Sequence, residues 1–98
     1  MKIAFHAEAE TELAEAVSYY EQRRPGLGQE FALAVLFALN KIISYPLAWP
    51  LMEQGVRRCL LQRFPYAVIY SPEPDAIFIL AIMNLHRHPD CWKQRRQT

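Results

Sequence analysis

The sequence lacks the patterns that mark secreted, membrane-spanning and nucleotide-binding proteins. Its two cysteines form no Cys-x-x-Cys pair and follow no signal peptide, so we expect free thiols in the reducing cytoplasm. The longest apolar run, residues 31–39, is too short to cross a bilayer and argues against a membrane protein. Only three glycines are present, and none belongs to a phosphate-binding loop.

Local clusters of catalytic or metal-binding residues are also missing. His86 and His88 are two residues apart, but Asp90 is the only carboxylate near them in the sequence, so no metal site is predicted. No nucleophile elbow occurs, and neither cysteine has a histidine at the spacing of a metal site. We therefore expect the protein to use neither a metal nor another cofactor.

The composition is that of an ordinary folded chain. Apolar residues make up 52% of the sequence and charged residues 21%, a balance that is too apolar for a disordered chain. Its 98 residues are enough for one modest hydrophobic core. The sequence thus predicts a single domain over residues 1–98.

Charge is distributed unevenly along the chain. Residues 1–55 carry four Lys/Arg and seven Asp/Glu, a net charge of −3, whereas residues 56–98 carry seven and three, a net charge of +4. A cluster of positive charge attracts anionic partners, so the C-terminal half is expected to meet nucleic acid or an acidic protein segment.

Two helices are predicted in the first half. The first runs from Ala9 to about Gln22, with apolar residues at spacings of three and four, and its glutamates are expected on a solvated face. Pro25 and the glycines beside it end this helix and reverse the chain. The second helix runs from about Leu27 or Gln29 to Ser44.

The second helix is apolar on more than one side. Its core stripe consists of Phe31, Val35, Ala38, Leu39 and Ile42. The remaining apolar set is expected either to meet another chain or to pack against the far side of the same core; it consists of Leu33, Leu36 and Phe37.

Strands are predicted on both sides of the helices. A short strand opens the chain at Lys2–Phe5, and Pro65 marks a corner because proline cannot donate to a strand ladder. The β-branched and aromatic runs of the second half predict three further strands, at Val56–Leu61, Tyr66–Ser71 and Ala76–Met83. A polar, cationic tail follows from Asn84 to Thr98.

The cationic residues of the late strands and tail are the main functional candidates. If Arg57, Arg58 and Arg63 share one end of the sheet with His86–His88, arginine side chains could stabilise an RNA phosphate while histidine or Tyr66 moves protons. The same group could instead bind an acidic protein segment, because arginine pairs equally well with carboxylates. A solvated edge with scattered arginines is the simplest alternative.

Four blocks of the sequence resemble the RelE/ParE superfamily of toxins from bacterial type II toxin–antitoxin modules, the plasmid-stabilisation type. They are EAVSYYEQRRPGLGQEF (15–31), IISYPLAWP (42–50), RRCLLQRFPYAVIY (57–70) and ILAIMNLHRHPDCW (79–92). The resemblance implies a two-layer α+β fold in the order β-α-α-β-β-β: an N-terminal strand, a two-helix hairpin, an antiparallel three-stranded meander and a short tail.

The superfamily contains two mechanisms. ParE-like members inhibit DNA gyrase by binding, and RelE-like members are ribosome-dependent endoribonucleases that cut mRNA. Related ParE-like sequences usually carry histidine where this chain has Asn84, and the PGLG turn and RFPY corner are more similar to the ParE side. We therefore expect a gyrase inhibitor whose target surface consists of Arg57, Arg58, Arg63, Arg87, Trp92, Arg95 and Arg96.

The alternatives use other residues. An endoribonuclease would use Arg57, Arg63, Tyr66 and His86, and a decayed member would only bind its antitoxin. The resemblance also implies a cognate antitoxin, which would cover Leu33, Leu36 and Phe37 unless a second toxin copy does so. A homodimer or a toxin–antitoxin hetero-oligomer is expected, with operator DNA bound only through the antitoxin.

Overall fold

The computed structural model describes residues 2–87, 90 and 92–97, with the side chains of all of these except Arg96 and Gln97. The chain begins with strand β1 (Lys2–Phe5) and a helical hairpin, α1 (Ala7–Arg23) and α2 (Leu27–Ser44). Four strands follow, β2 (Leu51–Glu53), β3 (Val56–Leu60), β4 (Tyr66–Pro72) and β5 (Ala76–Asn84), and a 3₁₀ helix at Lys93–Gln97 ends the described chain.

The strands form one five-stranded sheet in the order β1-β5-β4-β3-β2. β1 pairs in parallel with β5, and every other neighbouring pair is antiparallel. A parallel pair needs a long crossover connection, which the helical hairpin and the meander supply. The predicted α+β fold with its strand, hairpin and meander is confirmed.

Strand β2 was not predicted, so the meander has four strands rather than three. It contains only three residues, and its pairing with β3 shifts register between Leu51 and Glu53. Pro50 before it and Gly55 after it leave no alternating pattern long enough to signal a strand. The connection from Pro46 to Pro50 therefore leads into the edge of the sheet.

A close approach of the two helices explains the turn between them. Gly26 has φ +89°, in the left-handed region that favours glycine. The Glu21 carboxylate accepts hydrogen bonds from the backbone N–H groups of Gly26 and Gly28 at 3.0–3.1 Å. A Cβ atom at Gly28 would lie 2.6 Å from the Val17 carbonyl oxygen, so only glycine fits there.

The sheet is covered on both faces. The helices cover one face, where Tyr20, Phe31, Phe64 and Tyr66 form a cluster of rings with centroids 4.9–6.2 Å apart. On the other face Trp92 packs into a second cluster, formed by Val56, Ala67, Ile69, Leu80, Ala81 and Met83. The continuous apolar run of β5 is thus explained by burial on two sides.

Helix α2 is long and apolar enough to cross a membrane by length and composition alone. Its inner stripe packs against the sheet as the sequence predicts, with Phe31 and Ile42 fully buried. The core helix of a globular domain can be as long and as apolar as a membrane-spanning helix, so length and composition alone are weak evidence.

Candidate functional site

The predicted cationic residues lie near opposite ends of the strands. In the β3–β4 register Arg57 pairs with Tyr70, whereas Tyr66 pairs with Asn84 at the end of β5. Tyr66 and Tyr70 are four residues apart on β4, or about 13 Å at about 3.3 Å per residue. Because β3 and β5 run in the same direction on either side of β4, the start of β3 lies far from the end of β5. The expected single cluster is therefore wrong for Arg57 and Arg58.

Arg57 supports the connection between α2 and β2. Its guanidinium donates hydrogen bonds to the carbonyl oxygens of Leu47 at 3.1 Å and Trp49 at 2.8 Å. The neighbouring Tyr70 hydroxyl donates to the Pro46 carbonyl oxygen at 2.8 Å, and burial raises the pKa of Tyr70 to about 12. Arg58 is half-buried, and strand alternation places it on the opposite face of the sheet.

Arg63 is exposed and paired with α2. Its Nη2 lies 2.7 Å from Glu30 Oε1, and 65% of its side chain is accessible. The hydrogen bond from Arg63 is the main reason why the pKa of Glu30 is lowered. Arg63 also has φ +73°, an unusual conformation for a residue other than glycine. It thus sits on a tight corner at the sheet end that also holds Tyr66.

A polar pocket lies between α1 and this end of the sheet. Tyr66, which is largely buried, has its hydroxyl oxygen 3.4 Å from Asn84 Nδ2, and Asn84 Oδ1 accepts a hydrogen bond from the His86 N–H at 2.8 Å. The cavity measures about 220 Å³, and Glu12, Glu15, Tyr19 and Arg87 also line it. With two carboxylates against one guanidinium, the pocket is not a cationic phosphate site.

Two residues predicted for the target surface are buried instead. Trp92 is 1% exposed and Arg95 is 7% exposed. Trp92 contacts the apolar face of the sheet, and Arg95 forms a two-pronged ion pair with Glu12 at 2.8 and 2.9 Å. These two predictions are wrong as far as surface position is concerned. The Arg96 side chain, together with His88 and Cys91, lies outside the described part of the chain.

Glu12 is the functional candidate that the sequence did not reveal. Its position among the α1 glutamates predicts a solvated face, but its side chain is only 10% exposed. Spacing alone does not distinguish Glu12 from Glu8 or Glu15, since all three fall on neighbouring helical positions. The apolar positions of α1 predict which side of the helix faces the core. They do not predict that Glu12 pairs with Arg95, 83 positions away, because that contact depends on the tertiary fold.

The outer side of α2 is an exposed apolar face. Leu33, Leu36 and Phe37 are 55%, 52% and 54% exposed, so this set does not pack against the chain's own core. Leu33 and Phe37 also line a groove of about 240 Å³ that separates α2 from Leu60 and Arg63. Beyond Arg58, whose N–H donates to the Pro50 carbonyl oxygen, no described strand pairs with the outer edge of β3.

Metal-ligand geometry is not found in the described residues. Within residues 2–87, 90 and 92–97, no group of three or more His, Cys, Asp or Glu side chains is arranged to hold a metal ion.

A protein-family model and a solved structure both match this chain. The family described as "ParE toxin of type II toxin-antitoxin system, parDE" matches residues 3–96. A solved chain from the "Chromosomal ParDE TA system from P. aeruginosa" has a TM-score of 0.64 at 18% sequence identity, over 88% of this chain and 97% of that chain. At this identity the likeness shows the fold alone. No curated protein matches the sequence.

Proposed function

Because this chain belongs to the ParE toxin family of type II toxin–antitoxin systems, we propose that it inhibits DNA gyrase by binding and is neutralised by a cognate antitoxin. The observation that carries the target proposal is the spread of the arginines that are exposed or half-buried and are not bound to backbone carbonyl oxygens. Arg58, Arg63 and Arg87 lie along the sheet and its end and do not converge on a pocket with an acid and a base. Such a surface suits the docking of an anionic partner in the cytoplasm.

The proposed target surface differs from the sequence expectation. It keeps Arg58, Arg63, Arg87 and Arg96 and leaves Trp92 and Arg95 to a structural role. Arg57 also has a structural role, because its guanidinium is committed to two backbone carbonyl oxygens. The accessible arginines can exchange water or a weak surface partner for carboxylates or phosphates of the target.

Supercoiling by purified gyrase tests the target surface. We expect the wild-type protein to inhibit supercoiling and Arg58→Glu to raise the concentration for half inhibition by at least about tenfold, since reversed charge opposes docking. Glu10→Gln serves as the control, because it changes one exposed charge on α1, which covers the face of the sheet opposite Arg58. Full inhibition by a folded Arg58→Glu protein would remove Arg58 from the target surface.

The antitoxin is proposed to cover the outer face of α2. Leu33, Leu36 and Phe37 follow the i, i+3, i+4 spacing of one helix face, and Leu60 borders the same groove. Charged side chains border the apolar strip: Glu30 with Arg63 at one end, and Lys41 over the Phe37 ring at the other. An amphipathic antitoxin helix with apolar residues at the same spacing fits this face.

Antitoxin affinity tests this assignment. Phe37→Glu is expected to weaken binding by about thirtyfold or more, the effect of losing a central apolar contact of about 2 kcal/mol. Leu85→Glu introduces the same charge at an exposed apolar residue beyond β5 and should leave affinity unchanged. If Phe37→Glu binds as tightly as wild type and the toxin alone is dimeric, a second toxin copy covers the face instead.

An endoribonuclease is the alternative function. Arg63, Tyr66 and His86 lie at one end of the sheet, which favours it, whereas Arg57 lies near the opposite end of the strands. Arg63 could exchange its exposed partner Glu30 for a phosphate, but Tyr66 is largely buried and would have to become accessible before it could act on RNA. Ribosome-dependent mRNA cleavage that is lost in His86→Ala would establish this function. An absence of any toxicity would favour a member that only binds its antitoxin.

A further inference from the structure

Part of the outer edge of β5 lies beyond the reach of β1. β1 pairs with residues 76–79 of β5, and the last contact is the His6 N–H, which donates to the Ile79 carbonyl oxygen at 2.9 Å. The chain then turns into α1, and no other described strand pairs with this side of Leu80–Asn84. Buried backbone groups without partners are unfavourable, so the edge needs other hydrogen-bond partners.

Glu12 and Arg95 provide these partners. Glu12 Oε1 accepts a hydrogen bond from the Ile82 N–H at 3.1 Å, and Arg95 Nη1 donates to the Leu80 carbonyl oxygen at 3.0 Å. The two side chains are also joined to each other by two hydrogen bonds. The pair thus does at this edge what a neighbouring strand does elsewhere in the sheet.

The same pair anchors residues 92–97, which we call the C-terminal segment. Trp92 is buried on the face of the sheet opposite the helices, and Arg95, three residues later, reaches the edge of β5 and α1. At the other side of this segment Lys93 forms ion pairs with Asp90 at 3.1 Å and with Glu53 of β2 at 3.7 Å. The segment therefore crosses the sheet, and its buried polar anchor is the Glu12–Arg95 pair.

We propose that Glu12 is a positioning residue that fixes the cationic C-terminal segment on the sheet by binding Arg95. The segment carries Arg96 and follows Arg87, whose Nη1 lies 4.0 Å from the same Glu12 carboxylate. If these arginines bind gyrase, as the proposed function requires, Glu12 also contributes to gyrase inhibition. Glu12 positions the backbone of the segment and lies near Arg87 without touching the target. The surrounding charges are Glu8, which lies 3.6 Å from Arg95, and Glu15, which lines the same cavity.

The two tryptophans offer a direct readout of this role. The indole N–H groups of Trp92 and Trp49 are both buried and have no hydrogen-bond partner among the described residues. Exchange of either N–H with water therefore requires the protein to open around it. Trp92 reports on the C-terminal segment, and Trp49, which packs against the cluster on the helix side of the sheet, reports on that side in the same spectrum.

The experiment measures indole N–H exchange by NMR in the full-length protein, with Trp49→Phe used to assign the two resonances. We expect Glu12→Gln to accelerate exchange at Trp92 by at least about tenfold while Trp49 is unchanged, because Arg95 loses its buried counter-charge. Arg95→Lys should do the same, since lysine keeps the charge but loses the two-pronged geometry. Glu10→Gln, on the side of α1 that lines a pocket with Phe5, should affect neither resonance.

The outcomes separate this proposal from the target assignment. Unchanged exchange at Trp92 in a folded Glu12→Gln protein, or equal acceleration at both tryptophans, would overturn the positioning role. If the wild-type protein does not inhibit gyrase, the proposed function fails, but exchange at Trp92 still decides the role of Glu12. If Glu12→Gln accelerates exchange at Trp92 but inhibits gyrase as well as wild type does, Glu12 anchors the segment but the segment does not serve the target surface. This result contradicts the part of the proposal that concerns gyrase.

Discussion

Two arginine–glutamate pairs of this chain have almost the same contact distance and lie in opposite environments. Arg95–Glu12 at 2.8 Å is buried, with 7% and 10% of the side chains exposed, whereas Arg63–Glu30 at 2.7 Å has 65% and 36% exposed. An exposed pair contributes about 0–1 kcal/mol, whereas removal of one partner from a buried pair costs about 3–5 kcal/mol. Burial, and not contact distance, therefore separates an arginine that holds the fold together from one that can bind a partner.

The largest expected effect is the loss of stability on removing Arg95. Arg95→Ala leaves the buried Glu12 carboxylate with only the longer, 4.0 Å contact to Arg87 and the Leu80 carbonyl oxygen without its donor, so the free energy of unfolding should fall by about 3–5 kcal/mol. Urea unfolding followed by circular dichroism measures this change. The double variant Glu12→Leu/Arg95→Leu should lose less than Arg95→Ala, since neither charge remains buried. A loss below about 1 kcal/mol for Arg95→Ala would place this pair in the same class as Arg63–Glu30.

A smaller effect is expected at Tyr70, the buried neighbour of Arg57. The pKa of Tyr70 is raised from 10.0 to about 12 by burial, so the folded protein keeps it neutral where the unfolded chain has begun to ionise. The contribution to stability is complete below pH 10 and is lost as the pH rises towards 12. Tyr70→Phe should lose about 1 kcal/mol at neutral pH, from the bond to Pro46, and should lack this part of the alkaline decline. An unchanged alkaline decline in Tyr70→Phe would assign it to other groups.

Arg63 is expected to affect stability little. Arg63→Ala removes an exposed ion pair, so the free energy of unfolding should change by no more than about 1 kcal/mol. Arg63→Gly removes the same pair but suits the positive φ, and it should be more stable than Arg63→Ala by about 0.5–1 kcal/mol. Urea unfolding of the two variants separates the ion pair from the backbone conformation. A large loss in both variants would mean that this exposed pair is structural after all.

The smallest effect concerns the titration of Glu30. Its pKa is lowered mainly by the hydrogen bond from Arg63, so it should return towards the ordinary range in Arg63→Ala. Because a lowered pKa favours the folded state, this contribution is present above the ordinary pKa of the carboxyl group and is lost as the pH falls through the lowered value. NMR titration of the Glu30 side chain measures it. No change in Arg63→Ala would leave the second arginine, Arg24, as the cause.

The sequence predicts most of the fold because its signals are periodic and local. The helices α1 and α2 and the strands β1, β3, β4 and β5 lie within about two residues of their expected bounds. The sequence does not predict β2, because a three-residue strand between a proline and a glycine is too short to show the alternation of apolar and polar residues that marks a strand. The registers that separate Arg57 from Tyr66 depend on long-range pairing and not on local pattern.

The candidate site is less predictable for the same reason. Arginine on a strand or in a tail has the same local signature whether it contacts solvent, a backbone carbonyl or a buried carboxylate. Arg57, Arg63 and Arg95 take three different roles here, and each depends on partners 8 to 83 positions away in the chain. The exposed face of α2 was recognised as a second apolar set, but only the packed structure shows that its own core does not cover it.

A pulse of induced expression in bacteria, with DNA synthesis and protein synthesis followed by separate labels over the first minutes, distinguishes gyrase inhibition from mRNA cleavage. A gyrase inhibitor should stop DNA synthesis first and induce the DNA-damage response, while protein synthesis continues. Arrest of protein synthesis before DNA synthesis would overturn gyrase inhibition and favour cleavage of mRNA on the ribosome.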